Sequence, residues 1–357
     1  MTNVSCDPIL HMKPVFIPSP EIDWVHLSAH ADVLYLVLDK INWRNLSKNP
    51  NAMALLEKRI LEEPDSIDWY LFCHNPNVFT LLNQPHLYEI CKDHIRWCAL
   101  CSHPDVMPFL ETHPEQIDWF WLSGNPHAIP LLEKNIEHIC WAWLSENPNA
   151  IHLLEKYPHK IRWDRLCGNP EAIHLLVQAP QLDWENLCLN PNGLSLLEAF
   201  PENIVWELAS QNPGLLPLFE KNLDNIVWDQ LCWVNHPEMI RFVERHLDRL
   251  DQMCWYKLSS NPAAIALLEK YPHHIQWDRL SLNPKAIHLL EQYPERIHWK
   301  ELSANPNAIH LLFRLDLDQM RLHNETFREE LIAYVFDPDR LSRLSHGDLR
   351  AYLLHYA

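Results

Sequence analysis

Tryptophan recurs along this chain at a near-constant step: Trp24, Trp43, Trp69, Trp97, Trp119, Trp141, Trp163, Trp184, Trp206, Trp228, Trp255, Trp277 and Trp299. Seven of the twelve intervals are 22 residues, and the others are 19, 26, 28, 21 and 27. Such a period marks stacked repeats, in which each unit covers the apolar face of the next. The usual expectation of two or three globular domains for 357 residues therefore does not apply, because an array grows by adding units.

A clean unit reads Ile275-Gln-Trp277-Asp-Arg-Leu280-Ser281-Leu-Asn283-Pro284-Lys-Ala286-Ile287-His288-Leu289-Leu290-Glu291-Gln-Tyr293-Pro294. The Asn-Pro pair is its strongest local signal. Asn is a favoured N-cap, and proline at the first helical position loses no hydrogen bond. The pair recurs with its proline seven residues after the tryptophan, from Asn49-Pro50 to Asn305-Pro306, with His103-Pro104 and His236-Pro237 as variants. Each pair predicts a helix of about nine or ten residues, ended by the next proline because the residue before proline avoids the helical region. Between tryptophan and the Ser or Cys four residues later there is room for one or two turns of α or 3₁₀ helix. Leu280-x-x-Asn283 also suggests a leucine-rich-repeat horseshoe, but strand-like alternation is absent and the second half has helix chemistry. The expectation is an all-α solenoid of about 12–13 stacked two-helix repeats, a rod or superhelix on the order of 100 Å along its path.

The ends predict caps, since an exposed terminal layer would leave apolar surface in water. Residues 1–40 read as an N-terminal cap with a degenerate repeat, 41–312 as the array, and 313–357 as a C-terminal helical cap. Extra residues before Trp69, before Trp97 (84–96) and between Trp228 and Trp255 (233–252) are expected as edge loops.

The short helix, Asn-Pro, then longer helix resembles the leucine-rich variant repeat, which implies a right-handed superhelix of alternating 3₁₀ and α helices. The tryptophan and the shorter period depart from that pattern. Tandem Trp-x-x-Leu-Ser-x-Asn-Pro-Asn-Ala-Ile-x-Leu-Leu-Glu units also resemble repeat proteins of large and giant DNA viruses. The tail from Phe327 through Leu331, Tyr334, Phe336 and Pro338 to Leu341 is similar to a segment closing many such viral reading frames. The resemblance implies an origin and lends no mechanism.

The formal net charge of −18 disfavours nucleic-acid backbones and anionic lipid. No basic, apolar leader opens the chain, and its ten scattered cysteines suit a reducing compartment. One cluster, Cys91, His94, Cys98, Cys101 and His103, has zinc-like spacing. The register argues otherwise, because Cys101 occupies the Ser/Cys position of every unit, where a small side chain suits a tight layer contact. Glutamates recur fourteen residues after the tryptophan, among them Glu111, Glu133, Glu155, Glu198 and Glu220, and histidines eleven after it, including His152 and His174. Both ladders read as solvated helix faces or as partners of neighbouring units, and the glutamates also as an acidic stripe for a basic protein. Five dispersed glycines give no phosphate-cradling loop, and no catalytic motif occurs. The sequence thus points to a scaffold or adaptor for an unidentified protein partner, without cofactor, in the cytoplasm of an infected cell. The alternative is a structural component of the virion: minor capsid, cement or spacer.

Overall fold

The computed structural model describes residues 16–18, 22–29 and 40–315. The expected caps, over 1–40 and 313–357, lie for the most part outside the described residues. The chain divides into two compact units, Glu21–Ile309 and the combination of Met1–Pro20 with His310–Ala357. In the latter, strand Phe16–Pro18 pairs antiparallel with Phe313–Leu315, Phe16 standing opposite Leu315. The Glu21–Ile309 unit is an all-α repeat solenoid. No helix among the described residues is long and apolar enough to cross a membrane.

Each layer begins with a tryptophan helix of four to nine residues, such as Trp141–Glu146, Trp163–Leu166 and Gln252–Ser260. Several are capped by an acid or amide just before the tryptophan: Asp118 Oδ1 accepts from the Trp121 N–H and Asp183 Oδ1 from the Asn186 N–H. Asn-Pro then starts a 3₁₀ turn that runs into a short α-helix, as in Pro148–Ala150 followed by Ile151–Lys156. The proline expected only to end that helix also starts a further 3₁₀ turn, Pro158–Lys160, whose φ-fixed first residue suits it. The leucine three after each tryptophan is fully buried in most layers, from Leu27 to Leu302, each contributing about 1.5–3 kcal/mol.

Two polar ladders lock one layer to the next. The Asn169 side chain accepts from the Glu171 N–H (3.0 Å) and donates to the carbonyls of Ser145 (3.0 Å) and Asn147 (3.0 Å) in the preceding layer. Asn125, Asn147, Asn190, Asn212, Asn283 and Asn305 repeat this pattern, all almost fully buried. Only an amide offers one acceptor and two donors in so small a side chain. In the second ladder, Ser145 Oγ donates to the Trp141 carbonyl (2.7 Å) and accepts from the Arg162 N–H (3.1 Å) that opens the next layer. Cysteine replaces serine with its sulfur as acceptor, as in Cys101 to Asp118 (3.3 Å) and Cys167 to Asp183 (3.2 Å).

The second ladder does not stop at the thirteenth layer. Ser303 Oγ donates to the Trp299 carbonyl and accepts from the N–H of Asp23, 2.9 Å away and 280 positions earlier. Asp23 precedes Trp24 as Arg162 precedes Trp163, so the last tryptophan layer stacks on the first in the register used throughout. In place of the expected rod or superhelix, the stack is closed. Thirteen tryptophan layers per turn require a mean rotation of about 28° each, one thirteenth of a circle. At a spacing of about 10 Å between packed helices, a closed stack is about 40 Å across at the helix axes. Successive tryptophan helices, such as those at Trp228, Trp255 and Trp277, pack directly on one another.

The insertions differ in part from expectation: most of their residues lengthen or add helices, while the two extra residues before Pro237 lie in the irregular segment 234–236. Met53–Glu62 spans ten residues, Pro85–Cys91 is an added helix before Trp97, and the tryptophan helix at Trp255 begins three residues early at Gln252. Three or four residues make about one turn, so such additions keep the buried face in phase.

Candidate protein-binding surface

The two ladders singled out in the sequence meet across layers. His152 Nε2 lies 2.8 Å from Glu133, His174 Nε2 3.1 Å from Glu155, and His288 Nε2 2.7 Å from Glu269, each pair linking a layer to the one before it. Where histidine is absent, a later cation takes its role: Lys221 pairs with Glu198 (3.2 Å) and Arg245 with Glu220 (2.7 Å). Glu111 forms no ion pair among the described residues. The acidic stripe is thus interleaved with bases. These pairs are about half exposed, so each contributes no more than ~1 kcal/mol.

The cysteine–histidine cluster disperses. Cys91 is buried, His94 stacks on Trp69 at 4.9 Å, Cys98 is half-buried, and Cys101 holds the interlayer position. No group of three potential metal ligands occurs among the described residues. Burial pushes the thiols of Cys73 and Cys91 up to about 12 and that of Cys101 up to about 11, against the thiolate a metal would need. His103 stands in the asparagine ladder and imitates the amide. Its Nδ1 accepts from the Asp105 N–H (3.1 Å), and its imidazole hydrogen-bonds the Asn75 backbone.

Burial holds His103 below the usual imidazole range, helped by nearby His74 and opposed by Asp105 and Asn75. The folded chain therefore takes up this proton less readily than the unfolded chain. The stability His103 provides is complete above the unfolded value near ~6.5 and declines as pH falls through it toward the folded value. His103→Asn should remove this loss, so the stability of the variant minus that of the wild type should rise from pH 8 to pH 5 in urea unfolding; a pH-independent difference contradicts the assignment.

Three of the sixteen tryptophans lie outside the register: Trp121, Trp143 and Trp233. All three occupy tryptophan helices and retain solvent exposure, with Trp233 60% and Trp121 40% exposed. Trp121 and Trp143 join Phe120 in one patch, with ring centroids 5.4–5.8 Å apart. Gly124 lies beneath Trp143, where an added Cβ would stand 3.6 Å from the indole. Arg165 covers the other side of Trp143, its guanidinium carbon 5.8 Å from the ring centre, and pairs with Glu146 at 2.7 Å. The repeat register hid this patch. Its only sequence signal is Trp-x-Trp in two consecutive units.

Register tryptophans are normally covered from within their own unit. Tyr157 packs on Trp141, Phe200 on Trp184 and Tyr293 on Trp277, each sixteen residues after its tryptophan. Arg59 takes that position over Trp43, 4.6 Å from the ring centre. At Trp163 the corresponding residue is Ala179, and at Trp206 it is Asn222. Open grooves appear at these two layers. The larger, about 830 Å³, is lined by Trp163 and Trp184 with Asp164, Asp183, Glu185 and Arg162. The smaller, about 580 Å³, includes Trp206, Asn222 and Lys221. The position after the tryptophan runs Phe120, Ala142, Asp164, Glu185, Glu207 and Asp229 over successive layers, so the aromatic patch continues into carboxylates. Asp229 pairs with Lys257 and Asp164 with Arg162, while Glu185 and Glu207 are exposed and form no ion pair among the described residues.

No family model, no curated protein and no solved structure matches this chain.

Proposed function

We propose that the protein is a non-enzymatic scaffold for protein–protein interaction, with its binding surface on the row of tryptophan helices. The observation that carries this reading is the aromatic patch of Phe120 and Trp121, both exposed, with the half-buried Trp143. Indole surface left in water is unfavourable, and these residues do not supply the interlayer core that leucine and asparagine already provide. Tryptophan flanked by arginine is also the composition of the centres of protein interfaces. The His–Glu face, by contrast, is made of half-exposed side chains whose polar atoms already bond one another from layer to layer.

The test is a double variant, Trp121→Ala with Trp143→Ala, compared with Glu133→Ala on the other row. Both proteins should keep wild-type circular dichroism. In quantitative affinity capture from cells expressing the protein, the tryptophan variant should lose the specific partner at least about tenfold, as expected for a pair of hot-spot residues. The glutamate variant should retain it. An identical set of captured proteins for all three sinks the assignment.

A further inference from the structure

We infer that the groove over Trp163 receives an arginine side chain from a basic segment of a partner protein; this rests on the scaffold reading and specifies its chemistry. The chain shows the mode of recognition in its own layers. Over Trp43 the covering position is filled by Arg59, whose guanidinium lies on the indole face. Over Trp141 and Trp277 it is filled by tyrosine. Over Trp163 the position falls to Ala179, too small to cover the ring, and the groove that includes Trp163 is lined by the residues that follow it, from Pro180 to Glu185. An incoming guanidinium would occupy the place that Arg59 holds in its own unit.

Charge selects the occupant. The groove carries three carboxylates, Asp164, Asp183 and Glu185, against the single guanidinium of Arg162. Asp183 caps its helix and Asp164 pairs with Arg162, which leaves Glu185 to meet a cation. A flat, weakly hydrated guanidinium stacks on indole while bonding a carboxylate, which favours arginine over lysine. The same field, in a chain of net charge −18, repels phosphate backbones. A peptide is favoured over free arginine because the aromatic patch lies in the adjoining layers. Layers about 10 Å apart and an extended chain rising about 3.3 Å per residue place apolar anchors roughly three and six residues from the arginine.

The probe is a fluorescein-labelled nine-residue peptide with arginine at its second position, phenylalanine at its fifth and eighth, and glycine and serine elsewhere, made in both chain directions. Its control carries citrulline, which has the same shape without charge. Anisotropy with the full chain should show saturable binding of the arginine peptide and at least about tenfold weaker binding of the control. Ala179→Tyr installs over Trp163 the cover that Tyr157 and Tyr293 give their own tryptophans; binding should fall at least about tenfold, and similarly for Glu185→Lys, which changes a residue of the groove itself. Three results overturn the inference: no saturable binding to wild type, equal affinity for the citrulline peptide, or undiminished binding by Ala179→Tyr. A dimer in light scattering that Ala179→Tyr dissolves would assign the groove to a second copy and also overturn it. Partner capture that needs Trp121 and Trp143 but survives Ala179→Tyr would leave the scaffold standing and remove only the groove from it.

Discussion

Replacing Asn169 with leucine should lower the stability of the array by about 3–5 kcal/mol, although the two side chains are similar in size. The asparagine is buried and makes three hydrogen bonds at 3.0 Å. Leucine leaves the carbonyls of Ser145 and Asn147 and the N–H of Glu171 without that partner, and water has no ready path to them. Each such group carries an unmet desolvation cost of about 1–3 kcal/mol, partly relieved by relaxation. Aspartate should be nearly as harmful, because a carboxylate cannot donate to two carbonyls. Histidine should be the mildest replacement, since His103 already performs both roles in its own layer. Asn149→Ala is the control. It removes one exposed bond, to the Pro126 carbonyl at 3.0 Å, and should cost under about 1 kcal/mol. Urea unfolding followed by tryptophan fluorescence reads all four, and a cost for Asn169→Leu no larger than the control's would mean the ladder is not a principal interlayer tie.

The asparagine ladder marks the boundary of what the sequence makes legible. Asn-Pro is readable as a helix start because capping is local, and Asn147, Asn169 and Asn261 do cap their 3₁₀ turns. The other half of the amide's work needs the carbonyls of the preceding layer, which no single unit contains. The position of Cys101 was legible for the same local reason: every layer places Ser or Cys there, so its size had to matter. The candidate surface was harder to read. Comparing units brings out what they share, whereas Trp121, Trp143 and Ala179 are departures from what they share. A register that explains most residues turns attention away from those few. The pairing of His152 with Glu133 lay between these cases, since the spacing offered neighbouring-unit partners without choosing them.

Closure is the feature least legible in sequence, because it is a sum. An error of one or two degrees in each layer's rotation accumulates over thirteen layers to a sizeable fraction of a layer, and no local pattern encodes the total. It follows that the contact between the last and first layers is the one most expensive to form from an unfolded chain, joining residues 280 positions apart. Once formed, it should resemble every other interface. Its consequence for function is a fixed curvature: the spacing of Phe120, Trp143, Asp164 and Glu185 along the row of tryptophan helices is set by the closed stack and cannot vary with the bending of an open one.

Ser303→Leu should therefore destabilise the array as much as Ser145→Leu, by about 3 kcal/mol in each case, from a branched side chain forced into a filled layer contact and an N–H left without its acceptor. In the interior the lost acceptor is that of Arg162, and at the seam that of Asp23. Both serines are fully buried. An open array would give a different result, because its terminal serine would face solvent and accept leucine at little cost. The two variants should also differ in shape. Wedging the Ser145 interface strains a joint held on both sides by continuous chain, so the stack stays closed. Wedging the Ser303 seam strains an interface that no continuous chain spans, although the flanking segments Phe16–Pro18 and Phe313–Leu315 also pair, so the stack can widen toward an arc. Small-angle scattering should show a larger radius of gyration for Ser303→Leu than for Ser145→Leu under native conditions. Equal radii with a cost below about 1 kcal/mol for Ser303→Leu would show that the seam carries no load in solution.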